Sequence, residues 1–387
     1  MQRLVALLLL VCAAAGAQDG QAQLRDRAAA LVAVGKYAEA EPLLTRVLKL
    51  REEDAGTEHI SLVPAIEELA SVYRAQGRNA EAELLYQRSL TLKTKAAGGE
   101  GLEIIPDLKQ LGGLYVAMGR FPDAERQYMK IVSIRINAKG TEDLDLAKDC
   151  TELAAFYINQ KRFAVAEPNL RRAIDIYQKQ LGQEDPQLVP VLDSLATVFI
   201  EQKNYPPAES PLRRAISIQE RANGPNHVKV APRLDRLAML FYLEKRYADS
   251  EVLYRRSLGI WESSMEPDNP DLASSLDNLG VVLVSQDKFE EAEPLYRRSL
   301  ALREKSAIAS LNNLGMVLEG KGQNIASERQ YKLAVTLADR VPTVPGSSAS
   351  DNAILVKMLQ NYAALLRKLK RDAEAKRVEE RVKALTK

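Results

Sequence analysis

Histidine, cysteine and tryptophan are the scarcest chemically distinctive residues of this 387-residue chain, with 2, 2 and 1 copies. The two histidines, His59 and His227, are far apart in sequence, and neither has the spacing to another ligand that zinc sites use. A Ser-His-Asp site requires an oriented histidine, whereas both of these fall in loops where helix capping explains them better. We therefore predict no metal, no cofactor and no catalysis, with a hydrolase as the alternative.

Paired cysteines and an excess of one charge are also lacking. Cys12 lies in an N-terminal apolar run, so removal of that run would leave only Cys150, which cannot form an internal disulfide. Cys150 precedes Leu153 by one helical turn, and we predict that it is a buried hydrophobe. Lys+Arg of 54 against Asp+Glu of 52 gives a net charge of +2. That balance predicts no general attraction to nucleic acid or to an anionic membrane.

Long apolar runs are absent except at the start of the chain. Arg3 precedes the apolar run Leu4–Ala15, and Ala15-Gly16-Ala17 fits the small-x-small pattern of a cleavage site. The run is shorter than the roughly 20 residues that span a bilayer. Residues 1–17 are thus predicted to be a signal peptide, with a frayed first helix as the alternative. The mature chain would be exported, to the periplasm or the extracellular space, without membrane insertion.

What the sequence does contain is an internal repeat. The dipeptide Ala-Glu, or a near copy, returns every 42 residues without an insertion or deletion between the copies. The copies are Ala40-Glu41, Ala82-Glu83, Ala124-Glu125, Ala166-Glu167, Ala208-Glu209, Ser250-Glu251 and Ala292-Glu293. A fixed period in this range predicts a solenoid, in which each unit buries its apolar face against its neighbours.

A second pattern with the same period precedes each marker after the first. It consists of leucine, a small residue and, four positions after the leucine, a large residue. The leucines are Leu69, Leu111, Leu153, Leu195, Leu237 and Leu279, and the large residues are Tyr73, Tyr115, Tyr157, Phe199, Phe241 and Leu283. This spacing places both on one helix face, and the small residue allows a second helix to approach closely.

Turns and caps divide each unit into two helices. Gln76-Gly77-Arg78 is typical of the turn within a unit, and Asp185-Pro186 and Asn226-His227 are typical of helix entrances. No alternating β pattern is found. The sequence therefore predicts an all-α chain of antiparallel helix pairs, joined by loops of about ten residues.

These residues resemble the tetratricopeptide repeat (TPR). The 42-residue period and segments such as 35–44 and 288–296, with their Ala-Glu-Pro-Leu core, are similar to the kinesin light chain subtype. The resemblance covers about residues 24–387 and implies a right-handed α-α superhelical solenoid of about nine helix hairpins. It also implies a non-catalytic scaffold that binds a protein or an extended peptide. A chaperone or assembly factor that holds exported polypeptides is the alternative.

The period changes near the end of the chain. The marker Ser327-Glu328 follows Ala292 after only 35 residues, because the long loop is missing, and a weaker marker at Ala375 follows after 48. We predict a solenoid over residues 18–340, a loop over 341–350, and an atypical hairpin with a capping helix over 351–387.

In the family that this chain resembles, the first helices line a concave groove, where asparagines hold the backbone of a bound peptide. The residue before each leucine-small pair would face that groove: Glu68, Gln110, Glu152, Ser194, Arg236, Asn278, Asn313 and Asn361. Only the last three units keep asparagine, and Asn312 stands beside Asn313. The predicted peptide-binding residues are therefore Arg236, Asn278, Asn312, Asn313 and Asn361. The partner's identity and the oligomeric state are left open.

Four arginine pairs also recur at the period. They are Arg171-Arg172, Arg213-Arg214, Arg255-Arg256 and Arg297-Arg298. A glutamate stands four residues before the first arginine of each pair, which is the favourable order for a salt bridge within a helix. We predict such salt bridges, and a basic stripe for polyanions is the alternative.

Overall fold

The computed structural model describes residues 20–266, 269, 272–339 and 349–385. Within these ranges the chain forms helices and turns without a strand, as the sequence predicts. The predicted signal peptide at 1–17 and most of the predicted loop at 341–350 lie outside the described residues; Ala349 and Ser350 are already helical. The chain divides into two compact units, Met1–Val198 and Phe199–Lys387.

The N-terminal unit is a succession of helix pairs, in which each helix packs against its neighbour in sequence. The helices are α1 (20–33), α2 (Tyr37–Ala55), α3 (Val63–Ala75), α4 (Asn79–Ala97), α5 (Ile105–Ala117), α6 (Phe121–Lys139), α7 (Leu144–Asn159) and α8 (Phe163–Leu181). One-turn 3₁₀ helices at Ile60–Leu62 and Leu102–Ile104 lead into α3 and α5. The unit boundary falls within α9 (Leu188–Glu201).

The C-terminal unit continues with helix pairs of the same kind, and a 3₁₀ turn at Pro206–Ala208 precedes its first long helix. The helices are α10 (Glu209–Asn223), α11 (Ala231–Leu243), α12 (Tyr247–Ser264), α13 (Leu272–Val284), α14 (Phe289–Gly320), α15 (Asn324–Ala338), α16 (Ala349–Lys368) and α17 (Asp372–Leu385).

The recurring leucines and their large partners form the core, as predicted. Leu111, Leu237 and Leu279 are 1–2% exposed, and the large residues four positions later are buried as well, except the half-buried Tyr73. Where the small residue between them is glycine, it faces a tyrosine of the second helix. A Cβ at Gly280 would lie 2.8 Å from the Tyr296 ring, so the close approach of the two helices depends on the missing side chain.

The turn inside each helix pair requires one residue in the left-handed region. Gly77 (φ 76°) and Gly119 (φ 71°) supply it in early pairs, as the predicted Gln76-Gly77-Arg78 turn requires. In later pairs the same place holds Lys161, Lys203, Lys245, Asp287 and Lys370, with φ between 56° and 62°. These non-glycine residues keep the turn at a cost of about 1–2 kcal/mol each.

Helix α14 departs from the regular pattern. It runs for 32 residues, about 48 Å at 1.5 Å per residue, and serves both as partner of α13 and as partner of α15. The shortened spacing before Ser327 indicated a missing loop. The structure shows that no turn replaces the loop, because residues 303–308 contain neither glycine nor proline to end the helix. The absence of the long loop was predicted, whereas the joining of the two helices into one was not.

The glutamate of the Ala-Glu marker binds the next helix pair. It accepts a hydrogen bond from the cation that follows the turn of that pair, at N–O distances of 2.5–2.9 Å. The pairs are Glu41–Arg78, Glu83–Arg120, Glu125–Arg162, Glu209–Arg246, Glu251–Lys288 and Glu328–Arg371. Several of these arginines also stack on the aromatic residue of the first helix, for example Arg246 on Phe241 at 3.8 Å.

This contact explains why the marker contains glutamate. Burial disfavours the charged form of Glu251, but hydrogen bonds from Lys288, Arg255 and Gln286 outweigh it and lower its pKa to about 2. Serine replaces alanine in two markers because its hydroxyl donates to a carbonyl of the paired helix. Ser250 donates to Ala238 and Ser327 to Gly315, each at 2.7 Å.

Candidate functional site

Two of the five predicted binding residues line one cleft. Arg236 on α11 and Asn278 on α13 face a cleft of about 290 Å³ between these helices. The other residues that line it are Asp235, Met239, Tyr242, Tyr254, Val281 and Val282. Tyr254 (5% exposed) and Val282 (1%) belong to the hydrophobic core and form the floor. The cleft is therefore built on the packed faces of three consecutive helices, α11, α12 and α13.

The walls of the cleft are apolar and open to solvent. Met239 and Val281 are 42% and 41% exposed, although both are large hydrophobic residues in otherwise well-packed helices. Each lies three residues after the predicted groove residue of its helix, Arg236 or Asn278, and therefore on the same face. Sequence reasoning missed them, yet their separation by one 42-residue period was a signal that could have identified them.

Asn278 supplies the polar group of the cleft. Its side chain is exposed, and within the described part of the chain its amide has no hydrogen-bond partner. An amide donates and accepts at the same time, which matches the N–H and C=O groups of an extended peptide backbone. The apolar walls would supply contact area to a peptide, and the amide beside them would fix its orientation.

The other three predicted residues come together elsewhere in the same unit. The Asn361 amide on α16 donates to Oδ1 of Asn312 on α14 at 2.8 Å, and Asn312 is only 8% exposed. Asn313 beside it is exposed. The side chains of Asn312 and Asn361 thus bind one another, and they join α14 to α16. That all five residues form one groove remains a prediction.

The first arginine of each recurring pair forms the predicted salt bridge within its helix. Nε of Arg171, Arg213, Arg255 and Arg297 donates at 2.8 Å to the glutamate four residues earlier, namely Glu167, Glu209, Glu251 and Glu293. Second arginines of these pairs form ion pairs as well, for example Arg256 with Glu220 and Arg298 with Glu262. These contacts account for the recurrence of the arginines without a ligand.

A buried group of charges lies in the N-terminal unit. Nζ of Lys93 on α4 is 2.6 Å from both Glu67 Oε1 on α3 and Asp107 Oδ2 on α5. The Asp107 side chain is fully buried, and this burial raises its pKa even though Lys93 donates to it. Burial also opposes ionisation of Glu67, but hydrogen bonds from Lys93 and Ser89 lower its pKa. Lys93 is therefore the counter-charge that two acidic side chains share at the junction of three helices.

The scarce reactive residues have structural roles. Nδ1 of His59 accepts from the Ser61 N–H at 3.3 Å and caps the 3₁₀ helix Ile60–Leu62, as predicted. Nδ1 of His227 accepts from the Lys229 N–H at 3.1 Å within the turn before α11. Cys150 is fully buried as predicted, and this burial raises the pKa of its thiol to about 11. Across the described ranges, no group of three His, Cys, Asp or Glu side chains is placed to hold a metal ion.

The described helices also contain no segment that is both long and apolar enough to cross a membrane.

Comparison with known proteins agrees with this architecture. The tetratricopeptide repeat family model matches residues 20–95, 62–137, 149–221 and 230–305, together more than half of the chain. Among curated proteins, no relative was found.

Two of the solved structures similar to this chain have TM-scores above 0.5 and show the same fold at low sequence identity. The apo form of RapI is 14% identical, with a TM-score of 0.52 over 94% of this chain and 97% of its own. The C-terminal part of a TPR protein from Cytophaga hutchinsonii is 13% identical, with a TM-score of 0.51 over 72% and 93%. Kinesin light chain TPR-like repeats from Podosopora anserina are 23% identical, with a TM-score of 0.46 over 52% and 95%.

Proposed function

The chain belongs to the tetratricopeptide repeat family, and on that premise we propose that it is a non-catalytic scaffold that binds an extended segment of a partner protein between α11 and α13. Members of this family bind proteins or peptides and are generally not enzymes. The observation that carries the proposal is the cleft itself, in which the exposed Met239 and Val281 flank the unpartnered amide of Asn278.

The energetics of such a site follow from its rigidity. The cleft is formed by helices whose opposite faces are packed in the core, so binding does not require the protein to order a loop, and the entropic cost falls mainly on the peptide. Covering Met239 and Val281 would contribute about 25 cal/mol per Å² of apolar surface. The net charge of +2 and the salt-bridged arginines support a protein rather than a nucleic acid as the partner.

Replacing Asn278 by alanine should weaken peptide binding at least tenfold, or about 1.4 kcal/mol, because two hydrogen bonds to the peptide backbone are lost. The measurement is fluorescence polarisation with a peptide selected from a random display library on the purified chain. Asn169 on α8 offers a matched control, since its exposed side chain bonds only to Val165 of its own helix.

Three results would contradict the proposal. One is equal affinity of the Asn278→Ala variant and the parent chain. Another is an equal loss in the Asn169→Ala control. The third is similar affinity for unrelated extended chains, which would favour a general chaperone that holds exported polypeptides over a selective scaffold.

We also propose that the chain is exported to the periplasm or the extracellular space, on the pattern of residues 1–17. When the full chain is expressed in a bacterial host, mass spectrometry of the exported form should give Gln18 as its first residue. A charge within the apolar run, Leu8→Arg, should leave the uncleaved precursor inside the cell. An exported form that retains residues 1–17, or the same processing in the variant, would contradict export by this signal.

A further inference from the structure

The acidic residue of the cleft, Asp235, has no cationic partner among the described residues. Its Oδ2 accepts a neutral hydrogen bond from Trp261 Nε1 at 3.3 Å, and its Oδ1 is buried without a partner in the same part of the chain. Burial raises the pKa of Asp235, and the neighbouring Ser257 and Trp261 do not offset this effect. A carboxylate in such a place is stabilised by any positive charge that reaches it.

Two other repeats provide that positive charge from within the chain. Glu67 is bound by Lys93, and Asp277 by Arg303; in each case the cation stands 26 residues after the acid, on the second helix. Trp261 stands 26 residues after Asp235, and 42 residues before Arg303, so it occupies the place of the cation. The indole fills the space and donates one hydrogen bond, but it brings no charge.

The rest of the cleft suits a basic side chain. Tyr242 and Tyr254 present aromatic rings, which attract a cation, and Met239 adds a polarisable wall. About 290 Å³ is just below the roughly 300–1,000 Å³ that is usual for ligand sites. The cleft therefore fits one side chain rather than a cofactor. Among the residues that line the cleft, Arg236 carries a positive charge, which is the same sign as that of a basic side chain.

We propose that the cleft between α11 and α13 binds a lysine or arginine side chain of the partner segment, and that Asp235 supplies the counter-charge. This proposal rests on the peptide-binding function proposed above and adds the chemical class of the side chain that is recognised. Asn278 would hold the backbone of the segment, while the basic side chain enters beside it and replaces the internal cation of the other repeats.

The test uses the purified full chain and terminally blocked peptides from the display selection. Selected sequences should share one lysine or arginine, and replacing that residue by norleucine should weaken binding at least tenfold. Asp235→Asn should cause a loss of similar size for the basic peptide and less than a twofold change for the norleucine peptide. The two losses should not add, because both remove the same ion pair.

A further variant adds a positive charge beside Asp235. Trp261→Arg supplies an internal cation and should weaken the basic peptide at least tenfold. Asp235→Asn is nearly isosteric and removes a poorly paired buried charge, so its thermal midpoint should equal or exceed that of the parent. If the midpoint falls instead, the norleucine comparison on the parent chain still decides the question.

The outcomes separate this proposal from the function on which it rests. Selected peptides that depend on Asn278 but share no basic residue would overturn the recognition of a cation and leave the scaffold function intact. The same holds if Asp235→Asn weakens the basic and the norleucine peptide equally. If no peptide is selected, or binding is indifferent to Asn278, both proposals fail.

Discussion

Replacing Lys93 by methionine should destabilise the N-terminal unit by about 3–5 kcal/mol at neutral pH. Methionine keeps much of the side-chain volume but removes the charge that lies 2.6 Å from Asp107 Oδ2. The Asp107 side chain is fully buried, so the variant leaves a carboxylate that neither water nor a cation stabilises. Denaturation in urea, followed by circular dichroism, measures the loss.

The destabilisation caused by Lys93→Met should be larger at neutral pH than at acidic pH. Burial already raises the pKa of Asp107 above 3.8 in the folded chain, and removal of Lys93 raises it further. A carboxyl group whose pKa is raised by folding binds a proton more readily in the folded state than in the unfolded state. The free energy of unfolding that is lost by burying its ionised form is therefore largest at pH values above the folded pKa. The penalty should shrink as the pH falls toward 3.8, where the neutral acid needs no counter-charge.

The double variant Lys93→Met with Asp107→Asn is the matched control. It removes both charges and should recover most of the lost stability. An equal loss in the single and double variants would show that Lys93 acts through packing alone. A loss that stays the same from pH 4 to pH 8 would contradict the electrostatic explanation.

Replacing Tyr331 by alanine should destabilise the C-terminal unit by about 3–5 kcal/mol, as large-to-small changes in a core do. Tyr331 is fully buried, and its ring fills the space that Gly315 leaves open, where a Cβ would come within 2.7 Å. It also lies 5.9 Å from the ring of Tyr362. Alanine would leave a cavity between α14, α15 and α16, and thermal or urea unfolding measures its cost.

Tyr331→Phe separates packing from hydrogen bonding at this site. The Tyr331 hydroxyl is buried without a hydrogen-bond partner among the described residues, because the neighbouring Ser327 donates to the Gly315 carbonyl. Phenylalanine should therefore leave stability unchanged or raise it by up to about 1 kcal/mol. A loss above 2 kcal/mol for Tyr331→Phe, or below 1 kcal/mol for Tyr331→Ala, would contradict this description of the core.

Much of the fold could be predicted because its determinants are local. The leucine and its large partner lie one helical turn apart, and Gly77 marks a turn by its own conformation. The salt bridge from Glu167 to Arg171 spans four residues. Each of these features repeats at a fixed period, so one correctly interpreted unit describes its neighbours.

The contacts that the sequence did not predict are those between neighbouring repeats. The Glu41–Arg78 bond joins residues 37 apart, and only the stacked helices show that the marker glutamate contacts the next turn. Asn312 and Asn361 are 49 residues apart across the irregular end of the chain, where no period indicates which residues meet. The shortened spacing before Ser327 was visible, but a tight turn and a continuous helix both fit it until the structure showed α14.

The residues of the cleft could be predicted from the sequence only in part. Arg236 and Asn278 were placed by the period, because both precede the leucine of their helix. Asp235 stands beside Arg236 in the sequence, where no pattern indicates a binding role. The structure indicates a role for Asp235 as a counter-charge, because Trp261 contacts it at the place where Arg303 binds Asp277 in the next repeat.

A crystal structure of the full chain with the tightest selected peptide would show directly whether a partner segment binds between α11 and α13. We expect an extended peptide in this cleft, with its backbone on the Asn278 amide and a basic side chain against Asp235. A peptide bound on another face of the molecule, with the cleft between α11 and α13 empty, would contradict it.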